Sequence, residues 1–461
     1  MAEKKKGHPR GLYVLFATEA GERNSYYGNR ALLVLYMLFL FKSMPEQLWG
    51  YAEIKTFLEW VFGPLSAQAL SSQIYGIYSA FCYLTPIFGG AIADRWLGQR
   101  KSVVFGGLLM AVGHLVIANK PTFFLGIILL ILGNGMFKPN ISTQVGSLYP
   151  DPDDPRRDKA FGIFYMGINL GAMLAPVICG TLGQKIAWHW GFISAAIVML
   201  LSVTIYLWGQ KDLAPDNVMK TKAAGQVTVE PLTRNDWSRI IALCVLCALN
   251  IPFWGIYEQQ GNTMQLWADE QTIWPSIFGF TIPSTWFQLF NPLMIIGGIP
   301  LINILWDWQN KRGKEPSTVA KMAFGCFLLG ASYIVMIVGA NLIGAGKGSI
   351  FWPFATTLIL TLGEIYLSPT GLSLVTKIAP ARLISLMMGM WFLSSFFGNY
   401  LAGFIGAYYE RMPHTSFFSL LTAIGIASGF GILAFSKPLK KAMAMENAPA
   451  GVLEAKAEQD A

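Results

Sequence analysis

Runs of about twenty apolar residues, the length that crosses the hydrocarbon core of a bilayer as a helix, recur along this whole chain of 461 residues. A soluble domain has no core large enough to take them all, so lipid is the main solvent. Reading for such runs gives about twelve spans, at 12–41, 71–92, 102–118, 121–148, 160–182, 190–208, 239–267, 285–306, 318–341, 350–375, 383–407 and 416–436. The composition agrees: 13% of residues are charged, against about 25% in soluble domains, and the mean hydropathy is +0.46. The first, fourth and seventh spans are long, which implies tilt or ends that project beyond the bilayer.

The amino terminus, MAEKKKGHPR, is basic like the start of a secretory signal. Glu19, Glu22 and Arg23 interrupt the apolar run behind it and no small-residue cleavage site follows, so it reads as a retained first span. Lys and Arg crowd the segments on the side of the amino terminus, among them Arg95, Arg100, Lys101, Arg156, Arg157, Lys159, Lys311, Arg312 and Lys314. The opposite loops hold only Lys42, Lys55, Lys120, Lys185, Lys347 and Arg411. The positive-inside rule then places both termini in the cytoplasm. This bias accounts for the net charge of +8, so nucleic-acid binding is not implied. Cys244 and Cys247 form a lone CxxC inside a span; they read as small apolar helix residues, as do Cys82, Cys179 and Cys326, rather than as a redox or metal site.

The longest polar stretch between spans, 209–238, divides six spans from six. The expected organisation is a bundle over 1–208, a cytoplasmic linker over 209–238, a second bundle over 239–436 and a tail over 437–461. The halves look related: FKPNIS (137–142) in the fourth span matches LSPTGLS (367–373) in the tenth, each placing Pro in an apolar helix. FYMGINLG (164–171) in the fifth span aligns with LMMGMWFL (386–393) in the eleventh. Such parallel repeats are transporter architecture. The loop GGAIADRWLGQRK (89–101) resembles the G-x-x-x-D-R/K pattern of major facilitator transporters between their second and third spans. Its glycines suit a tight turn and close helix packing, and Asp94 is expected to cap a helix or pair with a basic neighbour.

Seven ionisable residues lie inside the spans, away from their ends: Glu19, Glu22, Arg23, Arg30, Lys138, Glu258 and Glu364. A charge facing lipid costs several kcal/mol, so these face a shared, wet interior. Glu19, Glu22, Arg23, Tyr26, Tyr27 and Arg30 fall at i, i+3, i+4, i+7, i+8 and i+11, one polar stripe along the first helix. Lys138 precedes Pro139, Glu258 follows Pro252, and Glu364 precedes Pro369. Polar groups beside helix breaks suit a gated site at the membrane midplane. Exchangeable pairs suit a machine in which protonation of a carboxylate releases its basic partner.

Glu19-x-x-Glu22-Arg23-x-x-x-Tyr27 resembles the E-x-x-E-R-F-x-x-Y signature of the proton-dependent oligopeptide transporters, the peptide branch of the major facilitator superfamily. GGAIADRWLGQRKSVVFGG, MFKPNIS, FGIFYMGINLGAM, FWGIYEQQG, GEIYLSPTG and MMGMWFL are similar to further family segments, in the family's order. Asn24 stands where the family has Phe. The resemblance implies an all-α membrane protein of the major facilitator fold, with about twelve transmembrane helices in two six-helix bundles. By motif, Arg23 and Lys138 would hold a peptide carboxylate, and Glu364, Asn169 and Asn291 the peptide amino group. Tyr27, Tyr83, Trp254, Trp391 and Ser395 would line side-chain pockets. Arg30 and Glu258 would form a salt bridge between the bundles on the outer side, and Glu19, Glu22 and Glu258 are the candidates for proton coupling. The His of some animal members corresponds to Gly76, so a His-based proton site is not expected. His8, His189 and His414 lie near span ends and His114 has no polar neighbour in its segment, so all four read as structural or solvated.

The implied function is proton-coupled symport of di- and tripeptides by alternating access in the cell inner membrane, driven by the proton gradient without a cofactor. Carriage of another small anion such as nitrate is the nearest alternative; the pairing of Lys138 with Glu364 speaks against it, because a simple anion needs no amino-group site such as Glu364 would provide. A non-transporting receptor is the second. No nucleophile–base pair or metal-ligand cluster in the sequence supports an enzyme.

Overall fold

Twelve long helices answer to the apolar runs in a computed structural model, which describes residues 7–151, 154, 156–216, 232–380 and 383–438. In the first half they are α1 (Arg10–Ser43), α3 (Ala67–Ile92), α4 (Gln99–Ala118), α5 (Phe123–Ser147), α6 (Arg156–Ala175) and α8 (Trp188–Gly209). In the second they are α9 (Arg234–Tyr257), α11 (Phe290–Lys311), α12 (Thr318–Ile343), α13 (Phe351–Ile378), α14 (Ile384–Gly406) and α15 (His414–Ala434). Ten of the helical segments are long and apolar enough to cross a membrane by length and composition. The two that fall short are α1, with its charged stripe, and α14, where Ser394, Ser395, Asn399 and Tyr400 interrupt the apolar run. The expected linker residues 217–231, the tail beyond Pro438, and Lys4, Lys5, Lys6 and Arg382 lie outside the described residues.

Three features depart from simple spans. A short helix, α2 (Tyr51–Phe62), lies in the connection from α1 to α3. α6 passes through a π turn (Pro176–Gly180) into a five-residue helix, α7 (Thr181–Lys185). The seventh span breaks into α9 and α10 (Thr263–Glu270) at a 3-10 turn, Glu258–Gly261. Glu258 therefore sits at a helix interruption, whereas Pro139 and Pro369 are held inside continuous helices.

The packing repeats itself. α1 lies against α6 and α8, α4 against α5 and α8, and α3 against α5. In the same order, α9 lies against α14 and α15, α12 against α13 and α15, and α11 against α13. Six helices and then six more thus solve one packing problem twice, as the paired proline segments suggest. Close approach within a half depends on glycine: a Cβ on Gly89 of α3 would run into the Gly135 carbonyl of α5. Neither backbone can yield without displacing a helix. Gly89→Val is therefore expected to cost at least the roughly 1–3 kcal/mol of an overpacked core, read as a lower melting temperature in detergent.

The loop after α3 corrects one expectation. α3 ends in a π turn, Ala93–Leu97, that leaves Asp94 exposed; among the described residues it neither caps a helix nor forms an ion pair. The cap on α4 comes from Asp216, beyond α8, whose carboxylate accepts from the backbone N–H groups of Gln99 at 3.0 Å and Arg100 at 3.1 Å. The Arg100 guanidinium donates to the carbonyls of Leu213 (2.6 Å) and Ala214 (2.7 Å). Gly98 turns the chain with φ of 80°, a region open to glycine at little cost.

The halves are bonded to each other at the end remote from the termini. There Gln68 donates to the Gly406 carbonyl at 3.0 Å, Ser72 to Asn262 Oδ1 at 2.8 Å, and Ser66 to Glu410 at 2.7 Å. Below these bonds α3 and α14 touch backbone to backbone: a Cβ on Gly76 would lie 2.5 Å from the Gly403 Cα.

Candidate functional site

A cavity of about 220 Å³ lies between the halves. Helical spacing builds its walls. Tyr165, Ile168, Asn169 and Ala172 form one stripe of α6; Asn291, Pro292 and Ile295 form one of α11, extended by Gln288 just before it. Tyr27 and Arg30 come from α1, Tyr257 and Gln260 from the broken seventh span, and Glu364 and Ser368 from α13. Each wall thus exposes residues three or four apart, the positions one helical face shares.

On the second-half wall, Asn291 Nδ2 donates to Glu364 Oε2 at 2.9 Å and to Thr361 Oγ1 at 3.0 Å. This fixes the carboxylate toward the cavity. Asn169, across from it, donates to the Tyr165 carbonyl of the preceding turn at 2.9 Å. At the sealed end, Arg30 Nη2 meets Glu258 Oε2 at 2.8 Å and Arg30 Nε meets the Tyr75 hydroxyl at 3.0 Å. Both charged groups are buried. The Arg30–Glu258 pair joins the two halves over the cavity.

The rest of the α1 stripe is buried toward the termini. Arg23 Nε bonds Glu19 Oε1 at 3.1 Å and also Glu22 Oε2. Among the described residues Glu19 Oε2, Glu22 Oε1 and Arg23 Nη2 have no hydrogen-bond partner, so two acids bond one base. The Lys138 ammonium makes no ion pair or hydrogen bond among the described residues; its Nζ stands 4.6 Å from the Tyr83 ring centre.

Tyr27, Arg30, Asn169, Asn291 and Glu364 therefore share one cavity, whereas Glu19, Glu22, Arg23, Lys138 and Tyr83 are not among its lining residues. Trp254, Trp391 and Ser395 lie buried behind the wall. Trp254 packs on Phe253 and Tyr257, and Trp391 fills the space beside Gly371. Ser395 accepts through its carbonyl from Asn399 at 2.8 Å. Sequence reasoning missed Tyr165, Tyr257, Gln260, Gln288 and Ser368 as cavity residues. All but Gln288 lie within segments it had singled out, one turn or less from a named residue.

Asn24 is buried between α1 and α6, with Nδ2 3.5 Å from the Gly171 carbonyl and Oδ1 3.9 Å from the Cys179 thiol. His114, whose own segment offers no polar neighbour, finds one on α1: Ser25 Oγ lies 2.5 Å from its Nε2. Among the described residues no group of three His, Cys, Asp or Glu could hold a metal ion.

Two repeated six-helix sets, sealed at one end over a cavity with charged groups from both, define a major-facilitator-type membrane transporter rather than an enzyme. A family profile described as the POT family matches residues 100–234 and 217–422. A di-/tripeptide transporter of Lactococcus lactis subsp. cremoris is 34% identical, across 95% of this chain and 97% of its own length. An uncharacterized transporter, YclF, of Bacillus subtilis (strain 168) is 34% identical across 95% of both chains. Among solved structures, that of the peptide transporter POT in complex with sulfate superposes with a TM-score of 0.82 at 32% identity, covering 96% of this chain and 97% of that one. The chain belongs to the POT family.

Proposed function

We propose that this chain is a proton-coupled symporter of di- and tripeptides that works by alternating access in the bacterial inner membrane, with both termini in the cytoplasm. The observation that carries the reading is the cavity between the halves, with the Asn291-held Glu364 on one wall and Asn169 on the other. A peptide backbone is a zwitterion, and opposed charges recognise that frame whatever the side chains. Glu364, Asn169 and Asn291 take the amino group. Arg23 and Lys138 take the carboxylate, Arg as a fork and Lys as a point charge. Tyr27 and Tyr83 border the side chains; Trp254, Trp391 and Ser395 back the pocket. The relative named a di-/tripeptide transporter supports this cargo.

With the termini inside, the bonded end is the outer one, so the cavity is closed on the outer side. A proton arriving at Glu258 frees Arg30 and lets the outer end part. A proton on Glu19 or Glu22 frees Arg23 for the carboxylate. An inward positive charge gains about 2.3 kcal/mol per 100 mV, which drives uphill uptake with no cofactor in the cycle.

The test is dialanine uptake into proteoliposomes driven by a proton gradient. Removing a charged partner of the carboxylate costs about 1.5–3 kcal/mol, so Lys138→Ala is expected to raise the half-saturating dialanine concentration roughly 10- to 100-fold. Competition by other dipeptides, and none by nitrate, is expected; the reverse would favour the anion reading. No uptake by the wild type would sink transport itself.

A further inference from the structure

A second set of bonds joins the halves at the outer end, built on an uncharged side chain. Gln184, in α7, reaches the segment between α10 and α11. Its Nε2 donates to Ser284 Oγ at 2.7 Å and to Asp269 Oδ1 at 3.1 Å. Its Oε1 accepts from the backbone N–H and the hydroxyl of Thr285, each at 3.0 Å. Ser284 Oγ in turn donates to Asp269 Oδ1 at 2.5 Å. Thus both ends of one amide are used, and every partner belongs to the other half. The seat is close-fitting: a Cβ on Gly180, at the end of the π turn before α7, would strike the Thr285 hydroxyl. Trp286 Nε1 closes the flank by donating to Thr181 Oγ1 at 2.9 Å.

These partners also connect to the cavity wall. Gln265 Nε2 donates to the Ser284 carbonyl at 3.3 Å, and Gln288 Nε2, a cavity residue, donates to Gln265 Oε1 at 3.1 Å. We propose that Gln184 is a positioning residue for transport: a latch that holds the outer end shut alongside Arg30–Glu258, and that must release Ser284, Thr285 and Asp269 before the protein can face outward. The proposal rests on alternating access. A latch built on an amide differs in kind from the ion pair, because Gln184 itself carries no charge for a proton to cancel. The relay through Gln265 and Gln288 gives cavity occupancy a route to it instead.

Spin labels at positions 120 and 347, in the outer loops of the two halves, report opening as a longer distance. They are placed in a background freed of the five native cysteines whose dialanine uptake matches wild type. Gln184→Ala is expected to raise the outward-open to inward-open ratio on the order of tenfold, the equivalent of one to two net hydrogen bonds. Gln184→Glu keeps the size but sets a carboxylate against Asp269, so it should open the outer end as well; adding Asp269→Asn should restore the ratio, which a merely structural role would not. An unchanged ratio in Gln184→Ala, with Arg30→Ala still opening the loops, overturns the latch. A shift in Gln184→Glu that Asp269→Asn does not relieve overturns it too. If neither Arg30→Ala nor Gln184→Ala moves the loops, alternating access about this end fails and the latch fails with it.

Discussion

Glu22→Gln is expected to abolish concentrative dialanine uptake under a proton gradient while counterflow exchange of labelled for unlabelled dialanine continues. Glu22 is fully buried beside Arg23, and Glu19 shares the same Arg23 nitrogen. Two carboxylates face the Arg23 guanidinium, and the Lys138 ammonium is close enough to act on both, so the site balances two acids against two bases. A proton on either acid leaves a base free for substrate, and a rearrangement of that base reverses the exchange. Gln at 22 keeps the shape and fixes the neutral state. The peptide can still bind and the halves can still rock, so exchange survives, but no proton can be gained on one side and lost on the other. Accumulation in Glu22→Gln equal to wild type would remove Glu22 from coupling and leave Glu19 or Glu258 to carry it.

Arg30→Ala is the second large effect. The pair it breaks is buried and joins the two halves through residues 228 apart in sequence. Removing one partner leaves Glu258 as a buried charge without its counterion, which costs about 3–5 kcal/mol. That cost falls on the outer-closed state alone, because in the open state water reaches the carboxylate. The closed-to-open ratio should therefore drop by roughly 10²–10³-fold or more, enough to make outward-facing molecules the majority if the wild type favours closure by less than that. Distances between labels at 120 and 347 would show it directly. A distribution identical to wild type would mean that the pair contributes no net closure and that packing of α3 on α14 seals the end by itself.

Much of this architecture was legible in the residues, for a physical reason. Lipid demands long apolar helices, so twelve spans could be placed with ends close to those observed, and charges inside them had to face one another. The partners of those charges came from resemblance, because Arg30 and Glu258 share no local spacing that would announce a pair. What stayed hidden was neutral or local. Gln184, Ser284 and Thr285 look like any polar residues at helix ends, and only the packing of the halves brings them together. Asp94 looked like a helix cap or the partner of a basic neighbour because it sits in a turn among basic residues. Asp216 holds that place because α8 returns the chain there. Tyr165 and Tyr257 were overlooked because an aromatic on an apolar helix reads the same whether it faces core, lipid or cargo.

The glycine contact between α3 and α14 bears on the energetics of rocking. Where side chains interdigitate, each closure must freeze rotamers, at up to about 2 kcal/mol for a long side chain. Gly76 and Gly403 have none to freeze. At that one crossing the two helices can therefore meet and part with no rotamer to fix, which lowers the entropic toll of closure there.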